Sequence, residues 1–221
     1  MSYTIAIDGP AGAGKSTIAK RVAKELSFIY VDTGAMYRAM ALYFLRKGIL
    51  PDETEKIEAA CEDIQVSITY VNGEQQVWLN GENVSKEIRK EEVGNMASKT
   101  SVNSKVREKL VALQRELASR ENVVMDGRDI GTQVLPDATA KIYLTASVEE
   151  RARRRFLELQ EKGMPANMEA IEADIIARDH RDMTREISPL RQAEDAVLVD
   201  ASQMTIEEVT NAVIREFENR K

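Results

Sequence analysis

The feature that most constrains this chain is a glycine-rich segment near its start, Gly9-Pro-Ala-Gly-Ala-Gly-Lys-Ser16. It follows a short apolar run, Thr4–Asp8. After it, an apolar residue recurs every four positions, as on one face of a helix: Ile18, Val22 and Leu26. The segment matches the pattern G-x-x-x-x-G-K-[ST] in the strand–loop–helix context that supports such a match. We therefore expect an α/β fold in which this loop joins a buried strand to a helix.

The composition of the loop is suited to holding the phosphates of a nucleoside triphosphate. Glycines let backbone N–H groups approach an anion closely, and the helix N-terminus adds a favourable dipole. Lys15 is expected to reach the β- and γ-phosphates, and the Ser16 hydroxyl is expected to bind Mg²⁺. The residues predicted to contact ATP are Gly9, Pro10, Ala11, Gly12, Ala13, Gly14, Lys15, Ser16, Thr17 and, from a later arginine-rich segment, Arg154.

Four further short apolar runs, rich in β-branched residues, predict a sheet. They cover residues 28–32, 122–126, 141–146 and 196–200. Their apolarity is continuous rather than alternating, which is typical of parallel strands covered on both faces. Helical patterns lie between most of them, at 33–47 and 102–117, and Thr205 with Glu208 predicts a capped helix that runs to about residue 219. The fold class that follows is α/β, with a doubly wound parallel sheet of five strands.

Two regions interrupt this alternation. Residues 65–84 alternate apolar and polar around Asn-Gly pairs at 72–73 and 80–81, which predicts an antiparallel β insert. Residues 149–191 read as helical and rich in arginine, with a Gly-Met-Pro break at 163–165. At 221 residues the chain has the length of one domain. We expect a core of about 1–62, 95–148 and 192–221, a substrate-binding insert of about 63–94, and a helical lid of about 149–191.

Charge and composition exclude several classes of partner. The net charge of −6 disfavours general binding to nucleic acid or to an anionic membrane. No apolar run approaches the roughly 18 residues of a membrane span, and Asp8 and Gly9 interrupt the first strand, unlike a secretion signal. Cys61 is the single cysteine and cannot form an internal disulfide. These features predict a cytoplasmic protein that acts on small molecules.

A phosphate-binding loop alone does not distinguish a switch, an ATPase and a phosphotransferase. The Asn-Lys-x-Asp segment that reads guanine is absent from the sequence, which disfavours a GTPase switch. Eight of the 18 arginines fall between residues 151 and 191, where there is one lysine. The planar fork of arginine suits bidentate binding of phosphate. The spacing of Arg178, Arg181 and Arg185 predicts that they share a helix face with Asp182 beside them. This favours a lid that closes over transferring phosphates; a salt-bridged surface is the alternative.

Four segments in order along the chain resemble the bacterial cytidylate kinase family. They are GPAGAGKST, DTGAMYR at 32–38, MDGRDIGT at 125–132 and ARDHRDMTR at 177–185. The resemblance covers essentially the whole chain, including the β insert. It implies a P-loop kinase fold and transfer of phosphate from ATP to CMP or dCMP, with Mg²⁺ as cofactor. It also implies a monomer without nucleic-acid or membrane partners.

The resemblance implies roles for residues around the acceptor. Thr33 stands where the family uses Ser or Thr near the acceptor. Arg38 and Arg128 match positions that hold the CMP phosphate. Arg178 and Asp182 match a pair at the sugar hydroxyls.

The resemblance also implies a group that reads cytosine: Ser98, Arg107 and Asp129. A carboxylate such as that of Asp129 suits the exocyclic amine of cytosine, although an ion pair with Arg107 or Arg128 is an equal alternative from the residues alone. Asp126 is expected to orient Mg²⁺ through water, beside Ser16. The implied catalytic residues are Lys15, Arg128, Arg178 and Arg185.

Two other functions fit the same residues. One is a kinase for a different monophosphate or for an alcohol, such as a sugar or a shikimate-like hydroxyl. An alcohol would need a carboxylate base near the acceptor, for which Asp32 or Asp129 is available. The other is a nucleotide-gated binding module with slow ATPase activity. Whether ATP consumption depends on an added acceptor separates these functions.

Overall fold

The structure is a computed structural model that describes residues 2–221. Its strands are β1 (Thr4–Asp8), β2 (Ile29–Asp32), β3 (Val66–Val71), β4 (Glu74–Leu79), β5 (Glu82–Asn83), β6 (Val123–Gly127), β7 (Ala140–Thr145) and β8 (Val197–Asp200). Its α-helices are α1 (Lys15–Leu26), α2 (Thr33–Arg46), α3 (Thr54–Asp63), α4 (Glu91–Thr100), α5 (Ser104–Arg120), α6 (Val148–Glu161), α7 (Met168–Thr184) and α8 (Ile206–Arg220). Helices and strands alternate along most of the chain, as predicted for an α/β fold.

Five strands form one parallel sheet in the order β2-β6-β1-β7-β8. The predicted doubly wound sheet is confirmed, and no observed strand end differs from the predicted one by more than one residue. β6 lies between β1 and β2, which places Asp126 beside Asp32 in register. Because the strands are parallel, their carboxyl ends share one edge, where α/β folds commonly bind ligands.

Apolar side chains cover both faces of this sheet. On one face, Met125 belongs to a buried cluster that includes Leu110 of α5. On the opposite face, the preceding residue Val124 belongs to a cluster that includes Val22 of α1 and Phe217 of α8. Successive residues of a strand point to opposite faces, so a strand buried on both sides must be apolar throughout. This explains the continuous apolar runs in the sequence.

The predicted antiparallel insert is present as a three-stranded sheet, β3-β4-β5. Each Asn-Gly pair forms one of its turns. The φ angles are +54° and +79° at Asn72 and Gly73, and +49° and +84° at Asn80 and Gly81. Two successive residues with positive φ are the signature of the tight hairpin turn that matches strand twist, and asparagine followed by glycine adopts it at least cost.

The arginine-rich segment forms α6 and α7, which are joined by a turn that contains Gly163 at a φ of +66°. The prediction that Arg181 shares a face with Arg178 and Arg185 is wrong. Arg181 is exposed, whereas Arg185 follows the end of α7 in extended backbone and its side chain is 8% exposed. Because the helix ends before Arg185, helical spacing does not describe the direction of that side chain.

Two helices, α3 and α4, flank the insert and were not predicted. α4 buries Val93, Met96, Ala97 and Thr100, the spacing of one helical face. The helix is only ten residues long and contains Gly94, so its periodicity is brief. Within residues 2–221, no helix combines the length and the apolarity needed to cross a bilayer.

Gly9 offers a test of how closely the loop is packed on the sheet. Its φ is +151°, and a Cβ there would lie 1.9 Å from the backbone oxygen of Leu144 on β7. Gly9→Ala should therefore cost more than about 3 kcal/mol in the free energy of unfolding. The matched control is Gly73→Ala, where φ is +79° and nothing lies within 4 Å; it should cost about 1 kcal/mol. Urea unfolding measures both, and equal costs would contradict this account of Gly9.

Candidate active site

The glycine-rich loop joins β1 to α1 at the carboxyl edge of the sheet. Gly12 and Gly14 have φ angles of +77° and +91°, which let the backbone curve around an enclosed space. The Lys15 side chain is buried, and its Nζ donates a hydrogen bond of 2.7 Å to the Pro10 carbonyl. Burial, and next the charge of Arg128, lower the pKa of Lys15 to about 7. An anionic phosphate in the loop would restore the charged form of this amine.

Asp126 at the end of β6 connects the loop to the neighbouring strand. Its Oδ2 accepts a hydrogen bond of 2.9 Å from Ser16 Oγ, and its Oδ1 accepts one of 2.9 Å from the Tyr30 hydroxyl. Its backbone oxygen accepts a hydrogen bond of 2.7 Å from Thr33 Oγ1. Burial, and next the charge of Asp32, raise the pKa of Asp126 to about 6. The two predicted ligands of Mg²⁺ are therefore in direct contact.

One cavity of about 280 Å³ lies over this edge of the sheet. The predicted site residues that line it are Ala11, Gly12, Lys15, Ser16, Thr33, Arg38, Ser98, Arg107, Asp126, Arg128, Asp129, Arg178, Asp182 and Arg185. The predicted residues that do not line it are Gly9, Pro10, Ala13, Gly14, Thr17 and Arg154. Residues more than 160 positions apart in sequence thus surround a single space. The six residues outside it were all predicted to contact ATP, whereas four others predicted to do so, Ala11, Gly12, Lys15 and Ser16, line it.

Ion pairs between arginine and aspartate line this cavity. Arg128 Nε lies 2.8 Å from Asp182 Oδ2, and this pair connects the core to α7. Burial opposes ionisation of Asp182, but the charge and hydrogen bond of Arg128, together with the charges of Arg185 and Arg178, lower the pKa of the carboxyl. Arg107 donates to Asp129, and an Arg185 nitrogen lies 3.9 Å from the same carboxylate. Burial raises the pKa of Asp129, while Arg107 and then Arg185 act in the opposite direction.

The expected cytosine-reading group therefore contains an ion pair. Of the two partners considered for Asp129, the structure shows Arg107. The Arg107 guanidinium also donates to the Ser101 carbonyl at 3.3 Å and lies 5.7 Å from the centre of the Tyr37 ring. Arg107 is thus held by contacts on several sides.

The lid is tied to the loop by Arg151 of α6, whose role was not predicted. Its guanidinium binds both carboxylate oxygens of Asp179 on α7, at 3.0 and 2.6 Å, and donates to the Ala11 carbonyl at 3.1 Å. A Cβ on Gly12 would lie 3.3 Å from the Cβ of Arg151. Arg178 of α7 also donates to the Gly94 carbonyl at 3.4 Å. The lid helices therefore contact both the loop and α4.

Arg154, predicted to contact ATP, lies outside the cavity beside the loop. It donates to Glu150 at 2.8 Å and to the Ala201 carbonyl at 2.9 Å. Its Nη1 would lie 3.7 Å from a Cβ on Gly14. Its side chain is 33% exposed, so the guanidinium faces the outer side of the loop, toward solvent.

Tyr37 on α2 lies in the cavity although it was not among the predicted site residues. Its ring packs against the core cluster. Its buried hydroxyl has no hydrogen-bond partner among residues 2–221. Burial raises the pKa of this hydroxyl to about 12. Its position directly before Arg38 in DTGAMYR was the available signal.

Comparisons with known proteins relate this chain to one family. The family model described as cytidylate kinase matches residues 5–219. The cytidylate kinase of Caldicellulosiruptor saccharolyticus is 53% identical over 213 residues, which cover 96% of this chain and 94% of the relative. The cytidylate kinase of Enterococcus faecalis is 50% identical over 210 residues, which cover 95% of this chain and 93% of the relative.

Solved structures agree with the fold. An uncharacterized protein from Eubacterium ventriosum matches with a TM-score of 0.56 at 10% identity, over 100% of both chains. A gluconokinase from Sinorhizobium meliloti matches with a TM-score of 0.50 at 13% identity, over 98% of this chain and 92% of that one. At these identities the similarity concerns the fold alone.

The Arg107–Asp129 pair can be tested by a double-mutant cycle. Arg107→Met should cost about 3–5 kcal/mol in the free energy of unfolding, because it leaves a buried carboxylate without its closest partner. Adding Asp129→Asn should recover at least half of that cost. Urea unfolding of the two single variants and the double variant gives the coupling free energy. Purely additive costs would show that the two side chains do not stabilise each other.

Proposed function

The chain belongs to the cytidylate kinase family, and on that basis we propose that it transfers the γ-phosphoryl group of ATP to CMP or dCMP. The products are ADP and CDP or dCDP. The chain is accordingly an ATP-dependent nucleoside monophosphate kinase. That it acts as a monomer in the cytoplasm stays a prediction.

One observation carries the proposal for the reaction: the phosphate-binding loop and the acceptor residues line the same cavity. Lys15 comes from the loop, and Arg38, Arg128 and Arg178 come from three other elements. Several cations around one small space suit two phosphates that must approach each other, since the repulsion between the donor and the acceptor is then offset.

We assign these cations by their positions. Arg38 and Arg128 align the phosphate of the acceptor, and Lys15, Arg178 and Arg185 stabilise the group in transfer. A phosphate oxygen of CMP is already a nucleophile at neutral pH, so positioning and charge can carry the reaction without a histidine base. Consistent with this, the single histidine, His180, is exposed on α7. Contacts of α6 and α7 with the loop and α4 would exclude water from the transferring group.

The cofactor proposed for the reaction is Mg²⁺, with Ser16 and Asp126 as the residues that would hold it. Their oxygens are hard ligands and lie 2.9 Å apart. No group of three or more His, Cys, Asp or Glu residues suited to a metal occurs within residues 2–221. A site with few protein ligands fits Mg²⁺, which keeps several waters and is bound largely through substrate phosphates. When bound, Mg²⁺ neutralises charge on the phosphates of ATP.

The proposed reader of the cytosine ring is Ser98 with Arg107 and Asp129. All three line the cavity, and Asp129 retains acceptor capacity beyond its bond to Arg107. A carboxylate accepts the exocyclic amine of cytosine but has no donor for the carbonyl that uracil carries there. The group would therefore discriminate against UMP.

An alcohol-phosphorylating kinase is less well supported by the carboxylates of the cavity. Asp129 is paired with Arg107. Asp32 caps α2, because its Oδ1 accepts a hydrogen bond of 2.9 Å from the Ala35 N–H. A general base takes up the proton of the hydroxyl, and a proton on either carboxylate would weaken the contact it already makes, to Arg107 or to the Ala35 N–H. A slow ATPase module is likewise disfavoured, since it would have no use for a second set of phosphate-binding arginines.

The proposed function is tested by offering acceptors one at a time. ADP release should be rapid with CMP and dCMP, and slow with UMP, AMP, GMP and shikimate. Removal of Mg²⁺ by EDTA should abolish it. ADP release that does not depend on the acceptor would contradict the proposed transferase, and turnover with UMP equal to that with CMP would contradict the proposed cytosine reader.

The arginine assignment is tested by single substitutions. Arg38→Ala and Arg128→Ala should each lower turnover with CMP by a factor of about 10² or more, because the acceptor phosphate loses a positioned cation. Arg181→Ala is the matched control, since Arg181 lies on the lid but is exposed. Steady-state kinetics with CMP and ATP measure all three variants. Turnover close to that of the unmodified enzyme for both Arg38→Ala and Arg128→Ala would refute the clamp.

A further inference from the structure

The outer edge of β2 is paired by side chains rather than by a strand. β2 is the first strand of the sheet order, so only one of its sides pairs with β6. On the other side, the Asp32 N–H donates a hydrogen bond of 2.9 Å to Gln75 Oε1, and Gln75 Nε2 donates one of 3.2 Å to the Asp32 carbonyl. The Tyr70 hydroxyl donates to the Tyr30 carbonyl at 3.0 Å. Two side chains of the insert thus substitute for a neighbouring strand.

The residues so bound are those on which the acceptor side of the site is built. Asp32 caps α2 through its side chain, and α2 carries Arg38. The next residue, Thr33, donates to the Asp126 carbonyl. The amide of Gln75 therefore binds the backbone at the junction between β2 and α2, where a displacement would move Thr33 and Arg38 together.

The contact between the insert and β2 is sparse around these hydrogen bonds. A groove of about 910 Å³ separates the two there, with Gln75 and Tyr70 among the residues that line it. The insert is instead anchored to the core through buried apolar residues, among them Val77, Leu79 and Val84. Because these anchors do not involve Gln75, the insert should remain folded when the Gln75 amide is removed.

From these contacts we infer that Gln75 is a positioning residue for the acceptor, through which the insert holds the junction of β2 and α2. The inference rests on the proposed function, because it names the acceptor as CMP or dCMP. Gln75 does not line the cavity of the candidate active site. It acts through Asp32, and hence on binding of the acceptor rather than on binding of ATP at the loop.

The test replaces Gln75 by a side chain of similar size that cannot form these bonds. Gln75→Met should raise KM for CMP about tenfold, as expected for the loss of two neutral hydrogen bonds. KM for ATP should change less than twofold. The matched control is Gln76→Met: Gln76 is the next residue on β4, and its Oε1 accepts a bond of 3.1 Å from Asn83 within the insert. The control should leave both KM values unchanged.

A second measurement follows the bond itself, without any substrate. Hydrogen exchange of the Asp32 amide should accelerate at least tenfold in Gln75→Met and not in Gln76→Met, because only the first variant frees that N–H. A merely structural role would lower the melting temperature and leave the ratio of the two KM values unaltered.

The outcomes separate this inference from the proposed function. If another acceptor proves active in the panel, the proposed function fails, and KM for that acceptor then tests Gln75. An unchanged ratio of KM values in Gln75→Met overturns the inference, as does an equal effect of Gln76→Met. An unchanged exchange rate of the Asp32 amide overturns it independently of the acceptor.

Discussion

The carboxylate of Asp126 is the interaction on which the geometry of the site depends. It accepts hydrogen bonds from Ser16 at the start of α1 and from Tyr30 of β2, and the carbonyl of the same residue binds Thr33 at the start of α2. β6 lies between β1 and β2, so the glycine-rich loop and helix α2 meet at Asp126. A buried carboxylate with this many donors fixes their relative positions, because leaving any of them unpaired is costly.

Aspartates hold two arginines of the cavity and one arginine beside the glycine-rich loop in place. Asp182 binds Arg128, Asp129 binds Arg107, and Asp179 binds Arg151. Buried ion pairs of this kind contribute little net stability, since desolvation offsets much of the attraction. Their effect is geometric, because each pair restricts the guanidinium to one orientation. One of these pairs joins the core to α7 and another joins α6 to α7, so the positions of these two arginines depend on how α7 packs.

Much of the fold could be predicted because its determinants are local. A strand buried on both faces is apolar throughout, an Asn-Gly pair forms its turn within two residues, and Thr205 with Glu208 forms the capping box that the sequence indicates. The residues of the glycine-rich loop are consecutive in the sequence, so a single motif predicted the position of the whole loop. Helix α4 and the direction of the Arg185 side chain could not be predicted in this way. A short helix that contains a glycine shows little periodicity, and helical periodicity does not apply to a residue beyond the end of a helix.

The site itself depends on contacts that no local pattern contains. In the sequence, Arg151 is one of several arginines in a short run. It is the one arginine of that run that is almost fully buried, because it donates hydrogen bonds to Asp179 and to the Ala11 carbonyl. Gln75 and Gln76 are neighbours on β4, a strand of alternating polar and apolar residues. They differ in their partners, because Gln75 binds the backbone of β2 and Gln76 binds Asn83 within the insert. In each case the distinguishing partner is distant in sequence and is supplied only by the packing of the lid or the insert on the core. The family resemblance predicted acceptor residues without such contacts, but the residues that hold these side chains in position become visible only when the elements are assembled.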